Sequence, residues 1–346
     1  MNEPLSSSPT SGPNPEGTLS TALPSQDVQH LLAHPERRTL VHFQNGNLRL
    51  AGHLYRPPHA SEQTRTPGVV MVGPLSSVKE QTLPHYAERL SDAGYTVLTF
   101  DPRNFGESEG EPRFHHDPSE ITADCSSAVG YLRTRADVDP QRIAVVGVCV
   151  GGGYAVSTAA RDKRVAAVVS VAGGFNIGGT FQMFMGVDGF AGYFRQVNDA
   201  VQKQRETGEI QYIPTVSAEG VSKEVPMAVM PTGEAAGYYL WTHAQDAPNW
   251  SPVMTAASLE PFFIYNGLAH VPLIGHTPLL VVHGTQDMFT LPAFAQAAYD
   301  AALGPKELVW IETSNHVELY DQDPYVSEAC GHIVGFLERF LAPAPV

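Results

Sequence analysis

Positive charge is scarce in this chain. Its 346 residues carry 21 Lys and Arg against 36 Asp and Glu, a formal net charge of -15. Phosphate backbones and anionic lipid headgroups both need a basic surface, so nucleic acid and membrane are excluded as expected partners. Cysteine is scarcer still. Cys125, Cys149 and Cys330 form an odd set without paired spacing, which excludes a disulfide framework and a CxxC metal site and fits a reducing cytoplasm. Long apolar runs are missing too, because Pro, Gly or a charged residue breaks each one before the roughly 18 residues that a bilayer span needs. The opening stretch has neither the basic start nor the apolar run of a secretory signal, and its Ser, Pro, Gly and Thr content reads as a disordered tail over residues 1–26. No repeat of solenoid period is found.

What remains, residues 27–346, reads as one α/β domain with a single large core. Two alternating runs at 39–43 and 48–54 flank Asn45-Gly46, a pair that tolerates positive φ, and predict an opening antiparallel hairpin. Short continuous apolar runs follow at 68–72, 96–100, 143–148, 165–171, 279–283 and 307–311. Such runs suit parallel strands covered on both faces. Helical patterns separate them; in the last, Val326, Ala329, Ile333, Phe336, Leu337 and Phe340 make one apolar stripe. Alternating strands and helices imply right-handed crossovers and chemistry in the loops at the strands' carboxyl ends. The alternation stops across about 175–275, after the sixth strand, where Met183, Phe184, Met185, Phe190, Tyr193, Phe194, Tyr238, Tyr239, Trp241, Phe262, Phe263 and Tyr265 cluster. This stretch is expected to be an inserted lid, or a second small core, or both.

The chemistry concentrates at Gly147-Val148-Cys149-Val150-Gly151-Gly152-Gly153, a strand end, a tight turn and a helix start. That context is required of a nucleophile elbow, with Cys149 where Ser usually stands. Glycines two residues either side let the backbone turn sharply. The helix N-terminus then favours a negative sulfur and lowers the thiol pKa. An acid and then a histidine are expected downstream. Asp287 follows the strand and turn ending in Gly284-Thr285-Gln286, and His316 follows the next predicted strand.

These features, with Val78-Lys79-Glu80-Gln81, Asp101-Pro102-Arg103-Asn104-Phe105-Gly106-Glu107-Ser108 and Ser314-Asn315-His316-Val317-Glu318-Leu319-Tyr320, resemble the dienelactone-hydrolase-like branch of the α/β-hydrolases over about 70–341. That branch includes a bacterial group with a cysteine elbow. The resemblance implies an oxyanion hole formed by the backbone amides of Val150 and of a residue in Gly73-Pro74-Leu75-Ser76. Proline cannot donate, so Leu75 is the choice. Here the chain departs from its relatives, with Val72-Gly73-Pro74 where many hydrolases read His-Gly.

Competing readings are weaker. Asp101 ends a strand, but its Asp-Pro-Arg-Asn-Phe-Gly turn reads as structural. His115-His116-Asp117 lacks metal-ligand spacing and reads as a solvated turn. Cys125 and Cys330 fall in helices as packing residues, and Asp287 could serve merely as a helix cap. The glycines after Gly147 resemble a dinucleotide loop, but the next strand lacks the acidic residue for a ribose. No cofactor or metal is expected. The resulting expectation is a hydrolase of activated esters, lactones or thioesters acting on a small-molecule acyl substrate. Cys149 would attack the carbonyl, His316 would take and return the proton, and Asp287 would hold the imidazole. An acyltransferase using the same S-acyl intermediate and a non-catalytic binding protein on this scaffold are the alternatives. Self-association into a homo-oligomer is left open.

Overall fold

The computed structural model describes residues 33–216, 228–230 and 233–343; the tail expected over 1–26 lies outside them. Strand β1 (Arg38–Asn45) turns at Gly46 into β2 (Leu48–Tyr55), followed by β3 (Thr66–Val72), α1 (Leu83–Asp92), β4 (Thr96–Phe100), α2 (Pro118–Thr134), β5 (Val138–Val148), α3 (Val150–Arg161) and β6 (Ala167–Val171). The insertion contains α4 (Ile177–Thr207), β7 (Tyr212–Pro214), α5 (Gly233–Gln245), β8 (Val253–Thr255) and α6 (Leu259–Ile264). The chain then resumes with β9 (Leu279–Gly284), α7 (Pro292–Ala301), β10 (Lys306–Ile311), α8 (Glu318–Asp321) and α9 (Tyr325–Phe340).

Eight strands form one sheet in the order β1-β2-β4-β3-β5-β6-β9-β10, antiparallel where β2 meets β1 and β4 and parallel elsewhere. From β3 the chain crosses to β4 on one side; from β4 it crosses back past β3 to β5 and on to β6 in the other direction. Right-handed crossovers in opposite directions place α1 and α2 on opposite faces. Accordingly α1 packs with α9 on one face, and α2 with α3 on the other. The reversal also opens a crevice between the carboxyl ends of β3 and β5, the place where such sheets bind ligands.

Burial follows the apolar runs. β4, β6 and β9 are buried at every position, and the stripe on α9 is buried except at the half-exposed Phe340. Fully covering one Val or Leu contributes about 1.5–3 kcal/mol, so a charge in these strands would destroy the sheet. The insertion differs. Tyr238, Tyr239, Phe262 and Phe263 join the main apolar cluster, so they do not form a separate core. By contrast Met183 and Phe184, on α4 near its break at Gly186, are 60% and 51% exposed. No helix among the described residues is long and apolar enough to cross a membrane.

Candidate active site

The end of β5 and the start of α3 hold Cys149 at φ 60°, ψ -134°, a conformation L-residues avoid at a cost of about 1–3 kcal/mol. Backbone bonds enforce it. The Cys149 amide donates to the Val171 carbonyl at 2.9 Å, and its carbonyl accepts from Gly152 (2.8 Å) and Gly174 (2.9 Å). The turn also explains its glycines: a Cβ on Gly147 would lie 1.9 Å from the Gly151 oxygen, and one on Gly151 2.3 Å from the Val72 oxygen. Sequence spacing thus becomes a close approach of three backbone segments.

Long-range packing brings the other two expected residues to the same edge. His316 Nδ1 donates to Asp287 Oδ2 at 2.6 Å. Asp287 Oδ1 accepts from the Phe289 and Thr290 amides, both at 2.9 Å, and the Thr290 hydroxyl lies 2.8 Å from Oδ2. The capping role and the histidine contact therefore coexist in one carboxylate. Burial alone would raise its pKa, but His316 and these donors hold it at about 2. Cys149 is 4% exposed. Burial pushes its thiol up; the charge of His316 and hydrogen bonds from His316, Tyr320 and the Val150 amide outweigh this and lower it. Burial opposes charge on His316 as well, yet Asp287 and the sulfur hold its pKa well above the ordinary value. Each group thus shifts the other toward its charged form.

Leu75 and Val150 line the same apolar cavity as Cys149 and His316, a space of about 40 Å³. The Leu75 loop is fastened at both ends. The Tyr239 hydroxyl on α5 donates to the Leu75 carbonyl at 2.8 Å. Four residues on, the wholly buried Lys79 meets Glu80 (2.8 Å), Asp101 (2.9 Å) and Glu107 (2.6 Å), while its amide donates to Asp101 at 2.7 Å. Burial disfavours the ammonium, but these carboxylates keep it charged. Asp101 is thus structural, as expected, and Arg103 makes a forked contact with Asp124.

One expectation is corrected. His115 and His116 do not form a solvated turn: His116 is buried, 2.7 Å from the Tyr154 hydroxyl and edge-on to Phe262, and His115 Nδ1 is 2.8 Å from the Thr255 hydroxyl. The insertion closes over this loop, which a local reading cannot foresee. Asp117 caps α2. Cys125 and Cys330 are buried on α2 and α9 as packing residues, with thiols pushed up to about 12 by burial. Residues that sequence reasoning missed are Tyr320, Tyr239, Thr290, Met230 and Lys79. Tyr320 and Lys79 lay within stretches that carry the resemblance, and Tyr320 follows His316 by four residues.

The strand order, the crevice at the strand reversal and the strained elbow beside it define an α/β-hydrolase scaffold. A family model described as alpha/beta hydrolase fold matches residues 74–333, and the chain belongs to that family. The thiohydrolase aneE of Aspergillus aculeatus is 32% identical over 281 residues, 78% of this chain and 83% of that protein. The acyltransferase drtE of Aspergillus calidoustus is 27% identical over 82% of this chain and 89% of its own length. The crystal structure of protein PA2218 from Pseudomonas aeruginosa is similar at a TM-score of 0.71 and 28% identity, over 88% of this chain and 93% of that one.

Proposed function

We propose that the protein is a cysteine-dependent hydrolase of the dienelactone-hydrolase-like branch that cleaves activated esters, lactones or thioesters through an S-acyl intermediate on Cys149. The observation that carries this reading is that the elbow cysteine and His316 line one cavity while His316 is held by Asp287 at 2.6 Å. The thiolate attacks the carbonyl carbon, and the carbonyl electron pair moves to oxygen within reach of the Val150 and Leu75 amides. Each such donor contributes about 3 kcal/mol in comparable sites. Collapse expels the leaving group, which takes the proton of His316 Nε2. His316 then accepts a proton from water as water attacks the thioester, and the acid departs as the sulfur regains its electron pair.

A thiolate is itself a good leaving group, so the first adduct proceeds forward only when the substrate's leaving group is weakly basic. Amides are poor substrates on this account. No Lys, Arg, Asp or Glu is among the described residues lining the cavity, and Leu75, Val150, Ile177, Met230 and Phe262 make its wall apolar. These side chains favour an uncharged acyl group. A space of about 40 Å³ holds a few waters. A reactive thiolate and three free cysteines fit a reducing, cytoplasmic setting.

Acyl transfer is the second reading, favoured by a relative named an acyltransferase; it differs only in what attacks the S-acyl group. Intact-mass analysis after mixing with p-nitrophenyl butyrate is expected to show one butyryl adduct, mapped to Cys149. Loss of the adduct in water alone supports hydrolysis; loss only with added thiol or alcohol supports transfer. A chain that never acquires the adduct from a panel of aryl esters, lactones and thioesters leaves only a binding role on this scaffold.

A further inference from the structure

Tyr320 is a polar side chain lining the cavity that the catalytic scheme does not use. It sits on α8, one turn after His316, fully buried, with its hydroxyl 3.0 Å from His316 Nε2 and its ring edge-on to the imidazole at 5.0 Å. Its ring also packs edge-on against Tyr238 of α5 at 4.9 Å, so it has little freedom to leave. Building on the Cys149 reading, we propose that Tyr320 is a further catalytic residue, whose hydroxyl donates a hydrogen bond to the Cys149 sulfur while accepting one from His316 Nε2.

Proton counting supports this assignment. When His316 is protonated, its Nε2 carries a hydrogen, and the Tyr320 oxygen 3.0 Å away accepts it. The one hydroxyl proton of Tyr320 is then free for an acceptor, either the sulfur or the Tyr239 oxygen, which interacts with Tyr320 and whose own proton goes to the Leu75 carbonyl. A charged acceptor takes the stronger bond, so the thiolate wins. Tyr320 keeps its proton throughout, because burial first and the neighbouring sulfur second hold its pKa far above the ordinary range. It matters most when water has added to the S-acyl carbonyl. The C–S bond breaks, the electron pair stays on sulfur, and the Tyr320 hydroxyl stabilises that departing thiolate. Acylated sulfur is a poor acceptor, so the bond is gained in the transition state and is not spent in the intermediate.

Other titratable groups face the pair and must be held constant. They are Tyr154 of α3 and Tyr239 of α5 at the sulfur, and Asp287, His283 and Glu234 around His316. The test uses the full chain and two variants, Tyr320→Phe and 3-fluorotyrosine at position 320. Iodoacetamide labelling of Cys149 is followed across pH, alongside the burst and steady-state phases of p-nitrophenyl butyrate turnover. In Tyr320→Phe the labelling midpoint is expected to rise, and the steady state is expected to fall roughly 10- to 100-fold with the burst retained. The fluorinated residue, a stronger donor of nearly the same shape, is expected to move the midpoint down; it decides the question alone if the Phe variant does not fold. An unchanged midpoint and unchanged deacylation in a folded variant overturn the role of Tyr320 and leave Cys149 standing. Wild-type labelling no faster at Cys149 than at Cys125 or Cys330 overturns both.

Discussion

Cys125 sits on α2 and Cys149 just before α3, two helices that pack against each other on one face of the sheet. Both are essentially sealed from solvent, yet their surroundings drive them in opposite directions. Around Cys125, burial dominates, a hydrogen bond with Thr158 offsets little of it, and the thiol is pushed up to about 12. Around Cys149, the same burial is outweighed by His316, a tyrosine hydroxyl and a helix-terminal amide. Enclosure therefore does not decide whether a cysteine ionises; the partners enclosed with it do. The two sites also differ in backbone. Cys125 lies inside a regular helix, whereas the elbow holds Cys149 in a strained conformation at the lip of the crevice.

The sharpest break of that contrast is Cys149→Ala. It is expected to cut kcat/KM for an activated aryl ester by about 10⁴-fold or more, while Cys125→Ala leaves turnover near wild type; melting curves should show both folded. Next comes Asp287→Asn, expected to cost about 10²–10⁴ in kcat because His316 loses the group that fixes its tautomer and holds its charge. Asp287 has a further consequence for stability. Its carboxylate is held at about 2 against an ordinary 3.8, so its stabilisation is present above pH 3.8 and is lost as pH falls toward 2. Acid unfolding of Asp287→Asn should lack that loss.

Lys79→Met tests the loop opposite the elbow. Removing the one cation from a buried cluster with Glu80, Asp101 and Glu107 is expected to cost about 3–5 kcal/mol in denaturant unfolding, since it strands buried carboxylates. A stability loss well under 1 kcal/mol would show that the cluster ionises differently. The smallest effect belongs to Tyr239→Phe, which removes one hydrogen bond to the Leu75 carbonyl. About 0.5–1.5 kcal/mol is expected, read as a fall in kcat of about 2- to 12-fold with little change in the labelling midpoint of Cys149.

Much of the scaffold was legible in the chain. The continuous apolar runs place β3, β4, β5, β6, β9 and β10 to within a few residues, and Asn45-Gly46 marks the opening hairpin, because period and turn chemistry are local properties. The elbow was legible for the same reason: strand, glycines and helix start are adjacent. Chain order alone singled out Asp287 and His316. The burial of His116 under the insertion was not legible, since Phe262 lies 146 residues away and nothing near His116 announces it.

Sequence by itself thus determined the strand and helix menu, the tight turn at Cys149 and the identity of its expected acid and base. Only the tertiary structure decided that Asp287 meets His316 at 2.6 Å, that Tyr320 meets His316 and Tyr239 meets the Leu75 carbonyl around one cavity, and that Lys79 is buried among three carboxylates. The physical reason is range. Backbone preference and hydrophobic period act over a few residues, whereas the charge state of a buried group depends on partners that packing brings from distant parts of the chain.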